Sequence, residues 1–479
     1  MFEKETWFFG KFVEEFYKIM GGKNNANPNH YKEEERERPD QDIAPKKMAA
    51  IYFRLIVLVL AFGLSLSCVA PGASQQTSSP AETSSNATVN TPSPSSTPTP
   101  PVTVGEPEFD AVAWYSERVK DLDLHTALVA TLEPGKNFAE YNVEKVFNPA
   151  SLVKLSTTLV ALKKLGADHR YAVSVYAEGE LDEDGKLNGD MYFSGSAPTF
   201  NDISADVVAD ELEKRGIKRI TGKLYVSPDF SFNYSNSAKQ SARLLAGKLR
   251  FEREPKTAVS DKTSGTELFV FKSFPLPEVL LYMNTFSSNF VAHKLGEKVG
   301  GVEAVRQFLI DELKFEPEKV KLDTTSGLKE NGMTARDIFL VLRALAEELK
   351  RQNLKPADVL SMAAESSSTL DRRLTDTNFE RAMLGKTGTL SAADGGVGMA
   401  SLAGLVYTKN NGIVAFVLMN QGPNLSRHRD LQDMFLKEVL ESRIEPDPFD
   451  FKTPRDLLPK SSLQIEAKGK INNSKEIKK

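Results

Sequence analysis

Three short runs carry residue types that can do nucleophilic chemistry. The first, FNPASLVKLSTT at residues 147–158, sets Ser151 three positions before Lys154. On a helix, residues i and i+3 share a face, so the hydroxyl would stand beside the amine. A free Ser hydroxyl is a poor nucleophile and needs an adjacent base. Lys can be that base once burial or neighbouring positive charge lowers its pKa. Ser151 also falls in the first predicted helical turn, where unpaired N–H groups and the helix dipole favour developing negative charge. The second run, MNTFSSNF, sets Ser287 two positions before Asn289. Such a hydroxyl can relay a proton to a leaving amine, and such an amide can bind a carbonyl and hold the Lys. The third run, GKTGTL, offers Lys386, Thr387, Gly388 and Thr389 at the end of a predicted strand. Lys386 and the Thr387 hydroxyl can bind a carboxylate. Gly388 lets a substrate backbone come close, and the Thr389 N–H can pair with that of Ser151 as an oxyanion hole.

Each run alone also fits a bland role: the surface of an amphipathic helix, a polar helix break, a turn. The elements around them favour the joint reading. In SLVKLSTTLVALKKLG the apolar residues fall at helical spacing. Asn148 can cap this helix, Pro149 suits its first turn and Gly166 ends it. Before it, LHTALVATLEP and NFAEYNVEKVF read as two strands joined by a Pro-Gly turn. LPEVLLYMNTFSSNFVAHKLGEKVGG reads as helix, broken near 284–288, and TARDIFLVLRALAEELKRQ as a further amphipathic helix. AMLGKTGTL, MASLAGLVYTK and GIVAFVLMNQ are strand-like, and a last helix is predicted at about 427–442. Between the first two runs, residues 168–265 alternate strands with one helix, ISADVVADELEKRG, for which Asp202 can serve as cap. The pattern is an α+β fold: an antiparallel sheet flanked by helices, in a catalytic body at 108–167 and 266–445, with an inserted α/β subdomain at 168–265.

The flanks are different in kind. LIVLVLAFGLSLSC (55–68) follows Lys46, Lys47 and Arg54, so 48–70 reads either as a signal, with Cys68 the residue to be lipidated, or as a membrane anchor. Ser65 stands where a lipoprotein signal usually has Leu. Both readings put the body outside the cytoplasmic membrane, on the periplasmic or cell-wall side. Residues 1–47 are charged and are assigned no fold, and Met48 is an alternative start. Residues 71–107, rich in Ser, Thr and Pro, read as a disordered linker, and the polar tail 446–479 as disordered too. A net charge of −4 points away from nucleic acid. With five His scattered along the chain and one Cys, no metal site is expected.

In their order, the three runs form the Ser-x-x-Lys, Ser-Asp-Asn and Lys-Thr-Gly set of the penicillin-recognising enzymes, with Ser-Ser-Asn as a variant of the middle one. The chain resembles the penicillin-binding protein 4 type of D-alanyl-D-alanine carboxypeptidase/endopeptidase over roughly residues 120–421. The likeness extends to NGDMYFSGSAPTF (188–200), ELEKRGIKRITGKLYV (211–226), TTSGLKENGMTARD (324–337) and STLDRRL (368–374). Ser196, Ala197 and Ser368 depart from that family's usual Gly, Asp and Gly, and the short gap between the first two motifs implies reduced insertions. The resemblance implies a β-lactamase/transpeptidase-like fold and a peptidoglycan stem peptide ending in D-Ala-D-Ala as substrate. It implies a Ser151 acyl-enzyme, β-lactams as inhibitors and no cofactor. In the implied roles Lys154 is the base, Ser287 the proton relay and Asn289 the orienting amide, while Lys386 and Thr387 hold the terminal carboxylate. A β-lactamase or esterase on the same scaffold, or a silent wall-binding module, are the alternative readings.

Overall fold

The computed structural model describes residues 105–391, 397–450 and 455–471. The predicted signal or anchor with Cys68, residues 1–47 and most of the linker lie outside the described residues. Helix α1 (Ala111–Arg118) opens the body, followed by the hairpin β1 (His125–Thr131) and β2 (Asn137–Tyr141). A 3-10 turn, Ala150–Leu152, feeds α2 (Val153–Leu165), which ends at Gly166 with φ 82. The insertion follows with β3 (Arg170–Ala177), β4 (Glu180–Leu181), β5 (Lys186–Asn188) and β6 (Met191–Ser194). It continues through α3 (Asp202–Lys214), β7 (Arg219–Ile220), β8 (Lys223–Val226), α4 (Ala238–Ala246), β9 (Lys256–Val259) and β10 (Thr266–Pro275). The chain returns to the catalytic layer with α5 (Leu276–Thr285), α6 (Asn289–Lys298), α7 (Gly301–Leu313) and α8 (Ala335–Arg351). Then come β11 (Ser361–Met362), β12 (Met383–Leu390), β13 (Met399–Tyr407), β14 (Ile413–Gln421), α9 (Leu425–Leu440) and β15 (Gln464–Ala467).

The catalytic sheet runs β11-β12-β13-β14-β1-β2, antiparallel throughout. Its N-terminal hairpin and C-terminal strands meet where β1 pairs with β14, which explains why the two ends of the sequence share one sheet. Strand side chains alternate faces. Leu128 and Ala130 of β1, with Val417 and Met419 of β14, join the core beneath α2 and α8. Ala127 and Val129, with Phe416 and Leu418, face α1 and α9 instead. Both faces are covered, so these strands read as continuous apolar runs. Burying each such Leu or Phe contributes roughly 1.5–3 kcal/mol. On the outer face Phe435 of α9 meets Trp114 and Tyr115 of α1, with ring centroids 4.9 and 5.3 Å apart. On the inner face α8 begins with a capping box, Thr334 with Asp337, as S/T-x-x-acid patterns predict.

Three boundaries differ from the sequence reading. The insertion does not end at 265: β10 is the antiparallel partner of β3 in a second sheet, β15-β10-β3-β6-β8-β9. A buried strand that runs straight into a helix carries no local mark of which sheet it joins. Helix α3 is capped by Asn201, whose side chain accepts from Ser204 N–H, and Asp202 is already its first helical residue. The tail predicted to be disordered from 446 onward is not so between 455 and 471. There β15 adds to β10, and Arg455 binds both oxygens of Glu365 at 2.7 and 2.6 Å. Composition hides this because four residues of strand and one guanidinium are enough to anchor an otherwise polar segment.

Glu365 is 2 % exposed and also accepts from Ser361 Oγ and Met362 N–H. Burial alone would raise its pKa, but the Arg455 guanidinium and these donors more than reverse that and hold it below the usual carboxylate value. Removing the partner of a buried charge costs about 3–5 kcal/mol. Arg455→Met is therefore expected to lower the midpoint of urea unfolding and, through it, the unfolding free energy by an amount in that range, with the double variant Arg455→Met/Glu365→Gln recovering most of it. An unchanged midpoint in the single variant would show that the tail contributes nothing.

Candidate active site

The nucleophile segment is pinned from both sides. Phe147 exchanges two backbone hydrogen bonds with Met333, both 3.0 Å. Asn148 does not cap α2. Its Oδ1 accepts from Ala150 N–H at 3.0 Å, and its Nδ2 donates to the Lys329 carbonyl at 2.8 Å. The chain can then turn through Ala150 at φ 51, a left-handed conformation uncommon for a residue with a Cβ. Ser151 thus sits in the 3-10 turn just ahead of α2, half-buried, at the positive end of the helix.

Lys154 is fully buried, and its Nζ has three neighbours: Ser151 Oγ at 2.9 Å, Asn289 Oδ1 at 2.7 Å and the Ser326 carbonyl at 2.6 Å. Burial pushes its pKa down from the ordinary lysine value to about 7. A neutral amine has two N–H bonds and one lone pair. Asn289 Oδ1 and the Ser326 carbonyl can only accept, so they take the two N–H bonds and leave the lone pair for the Ser151 hydroxyl. The geometry is that of a base already hydrogen-bonded to its nucleophile.

Ser287 lies in the break between α5 and α6 at φ 53, a second left-handed residue at the site. Asn289 is the first residue of α6. Ser288, between them, is the N-cap of α6, its Oγ accepting from Val291 N–H at 3.3 Å. Ser and Asp are both strong N-caps, so Ser-Ser-Asn preserves the local structure that Ser-Asp-Asn would give. Lys386, also fully buried, donates to Ser287 Oγ at 2.9 Å and to the Thr387 carbonyl at 2.7 Å. Burial, and after it the nearby Lys154, lower its pKa well below the usual value. Thr387 is half-buried and Thr389 exposed.

Two glycines bring the pieces together. A Cβ on Gly388 would lie 2.6 Å from the Pro149 carbonyl oxygen, so its absence lets β12 lie directly on the nucleophile turn. The sequence reading gave that glycine to a substrate backbone; the approach it permits is by the chain itself. Gly327 has φ 84, and a Cβ there would lie 1.9 Å from the Ala150 carbonyl oxygen. The structure therefore joins all the candidate residues, Ser151, Lys154, Ser287, Asn289, Lys386, Thr387, Gly388 and Thr389, in one cleft. It adds Ser326 and Gly327, whose TTSGL run was noted in the sequence without a role. It also adds Arg429 of α9, which donates from Nη2 to Thr389 Oγ1 at 3.2 Å and which no local pattern marks. Among the described residues no group of three His, Cys, Asp or Glu side chains is placed to hold a metal ion.

The family model described as D-Ala-D-Ala carboxypeptidase 3 (S13) matches residues 115–241 and 227–439, well over half of the chain and every part of this cleft. The chain belongs to the D-Ala-D-Ala carboxypeptidase 3 (S13) family. It is also similar to the carboxypeptidase DacB of Mycolicibacterium smegmatis, 27% identical over 372 residues, which is 63% of this chain and 78% of the relative. Among solved structures it is similar to a predatory peptidoglycan endopeptidase of Bdellovibrio bacteriovorus, with TM-score 0.59 and 20% identity over 72% of this chain and 98% of that one. Penicillin binding protein 4 of Haemophilus influenzae gives TM-score 0.55 and 17% identity over 68% of this chain and 99% of that one. These likenesses establish the penicillin-recognising fold, and membership of the S13 family makes this a serine-type D-Ala-D-Ala carboxypeptidase. The resemblance read from the motifs is borne out.

With Lys154 as the base that this geometry supports, acylation would need its neutral form. Its rate is expected to rise with pH and level off, with an apparent midpoint near 7. Below that the amine holds its proton and cannot accept another. The midpoint belongs to the Lys154/Lys386 pair, since the two interact. A flat profile through neutrality would rule out Lys154 as base, and Lys154→Ala should slow acylation by roughly 10²–10⁴. Separately, Ser288→Ala should lower stability in urea by about 1 kcal/mol through loss of the cap, whereas Ser288→Asp should keep it. Equal losses in both would point to a role other than capping.

Proposed function

We propose that the protein hydrolyses peptidoglycan stem peptides ending in D-Ala-D-Ala through an ester on Ser151. Ser151 Oγ attacks the penultimate carbonyl while Lys154 takes its proton. The N–H groups of Ser151 and Thr389 hold the oxyanion, a role supported by the contact of Gly388 with Pro149 that lays β12 beside the turn. As the C–N bond breaks, the proton passes through Ser287 to the leaving D-Ala amine. Asn289 orients the substrate and Lys154. Water then cleaves the ester, returning Ser151 to its free form. The observation that carries this reading is the Ser151–Lys154–Asn289–Ser326 hydrogen-bond set. A β-lactam presents the same acyl group in a strained ring and should leave a slow acyl-enzyme on Ser151. The related Bdellovibrio protein is described as a peptidoglycan endopeptidase, and cleavage of a cross-link would use the same ester with a larger leaving amine. The apolar run ending at Cys68, after Lys46, Lys47 and Arg54, supports the reading that the cleft works outside the cytoplasmic membrane, tethered by a lipid or a membrane anchor.

Incubation with a fluorescent penicillin should label the wild type covalently and leave Ser151→Ala unlabelled. The same wild type should release D-Ala from a model pentapeptide. No label on a folded wild type would overturn the acyl-enzyme, and equal labelling of the variant would overturn Ser151 as its site.

A further inference from the structure

Thr157 of α2 is fully buried and stands one helical turn beyond Lys154, on the same face. A Thr inside a helix ordinarily turns its hydroxyl back to the carbonyl four residues earlier. Thr158 does so, donating to the Lys154 carbonyl at 2.7 Å. For Thr157 that contact, to the Val153 carbonyl, is the long one at 3.4 Å, and the hydroxyl reaches across to the Thr325 carbonyl at 2.7 Å. A hydroxyl has one proton to give, and the shorter contact takes it.

Thr325 and Ser326 are consecutive, so α2 grips two successive carbonyls of one loop. The Thr157 hydroxyl takes the first and the Lys154 amine the second. From the other side, Thr325 Oγ1 donates to the Ala292 carbonyl of α6 at 2.9 Å, and a Cβ on Gly296 would lie 2.3 Å from that oxygen. Lys154 cannot itself fix the Ser326 carbonyl, because its long side chain is the group to be placed. Thr157 can: its side chain is short and, being β-branched, stiff about its first torsion.

We propose that Thr157 is a positioning residue for the base: by fixing the Thr325 carbonyl it holds the next one, Ser326, on the amine of Lys154 and so decides where the lone pair of that amine points. The assignment rests on the serine acyl-enzyme reading above. With both acceptors in place, the two N–H bonds of neutral Lys154 are taken and the lone pair is left for Ser151. With the Ser326 carbonyl released, one N–H is free to turn onto Ser151 Oγ, and the hydroxyl then accepts where it has to donate. The ammonium form loses more, since it has three N–H bonds for the same three partners. Removing an acceptor therefore lowers the pKa of Lys154 further. The groups facing the amine from the nucleophile turn, α6 and the loop are uncharged. The charged group it meets is Lys386 of β12, whose bonds to Ser287 and Thr387 do not involve Thr157.

The test is the pH profile of acylation by a fluorescent penicillin, measured on the full-length protein. Rates are expressed per molecule that finally takes the label, so unfolded material does not enter. Thr157→Val keeps the volume and removes the donor. Its plateau rate should fall about 10- to 100-fold, as for a misplaced catalytic group. Its midpoint should move about one pH unit below that of the wild type, as for the loss of one hydrogen bond to a charged group. Thr157→Ser, which keeps the donor, should restore the wild-type midpoint. If Thr157→Val does not fold, Thr325→Val frees the same loop from α6 and must show the same two changes. A lower plateau with the midpoint in place is the mark of a loosened fold and overturns the assignment. So does an unchanged plateau, a midpoint that rises, or a Thr157→Ser profile like that of Thr157→Val. A folded wild type that forms no acyl-enzyme at any pH overturns the serine-acylation reading, and this assignment with it. A wild type that labels while Thr157→Val keeps its profile removes Thr157 alone.

Discussion

The amine of Lys154 sits where an ammonium is costly. It is out of contact with water, it has no carboxylate partner among the described residues, and a second buried amine, Lys386, lies close enough to be felt. Taking a charge into such surroundings is far less favourable than leaving it in water, and the group responds by giving up its proton. The remaining features of the cleft follow from this. Two carbonyl-type acceptors hold the amine by its N–H bonds, so the lone pair has one direction left, toward Ser151. Had either acceptor been a carboxylate, the charge would be stabilised and the base lost. The choice of an amide side chain at Asn289 and a backbone carbonyl at Ser326 is therefore as much a part of the chemistry as the lysine.

Holding these groups together requires backbone that would not form on its own. Ala150 and Ser287 both occupy left-handed conformations, and Gly327 and Gly388 allow chain segments to approach closer than any side chain would permit. Such conformations persist only where the surrounding structure over-determines them. Here the pairing of Phe147 with Met333, the clasp of Asn148 on Lys329 and the cap of α6 by Ser288 do so. Polar bonds between α2, α5 and the loop at 325 complete the frame: Thr157 donates to the Thr325 carbonyl, and Asn284 donates to Thr158 and to the Val359 carbonyl. The site is assembled from four separate stretches of chain, each anchored to another rather than to itself.

What was legible in the sequence divides along that line. Ser151 and Lys154 could be paired because helical periodicity places them on one face, and the helix break at Ser287 was visible because polar residues interrupt an apolar repeat. The central strands β13 and β14 showed as unbroken apolar runs because both faces are covered. Ser326 acts through its carbonyl, a group every residue has, so its identity carries no signal. Arg429 looks like any surface arginine on a helix, and only the docking of α9 brings it to Thr389. The span of the second sheet was misjudged for the same reason: β10 and β15 are separated by nearly the length of the catalytic body, and nothing local in either announces the other. Side-chain chemistry close in sequence was readable; relations that exist only after distant segments meet were not.

The strand β15 follows β10 only after the whole of the later catalytic layer, yet it covers part of the outer edge of β10, where Phe269, Val270 and Phe271 run in sequence. A chain clipped by a protease before this strand would keep every catalytic residue but bare a row of unpaired N–H and C=O groups flanked by large apolar side chains. An uncovered edge of that kind is a template for pairing with another molecule. The tail thus guards solubility as well as shape. During synthesis, too, that edge of the second sheet stays open until Gln464–Ala467 has emerged, so the sheet is finished by a segment far downstream of the strands that begin it.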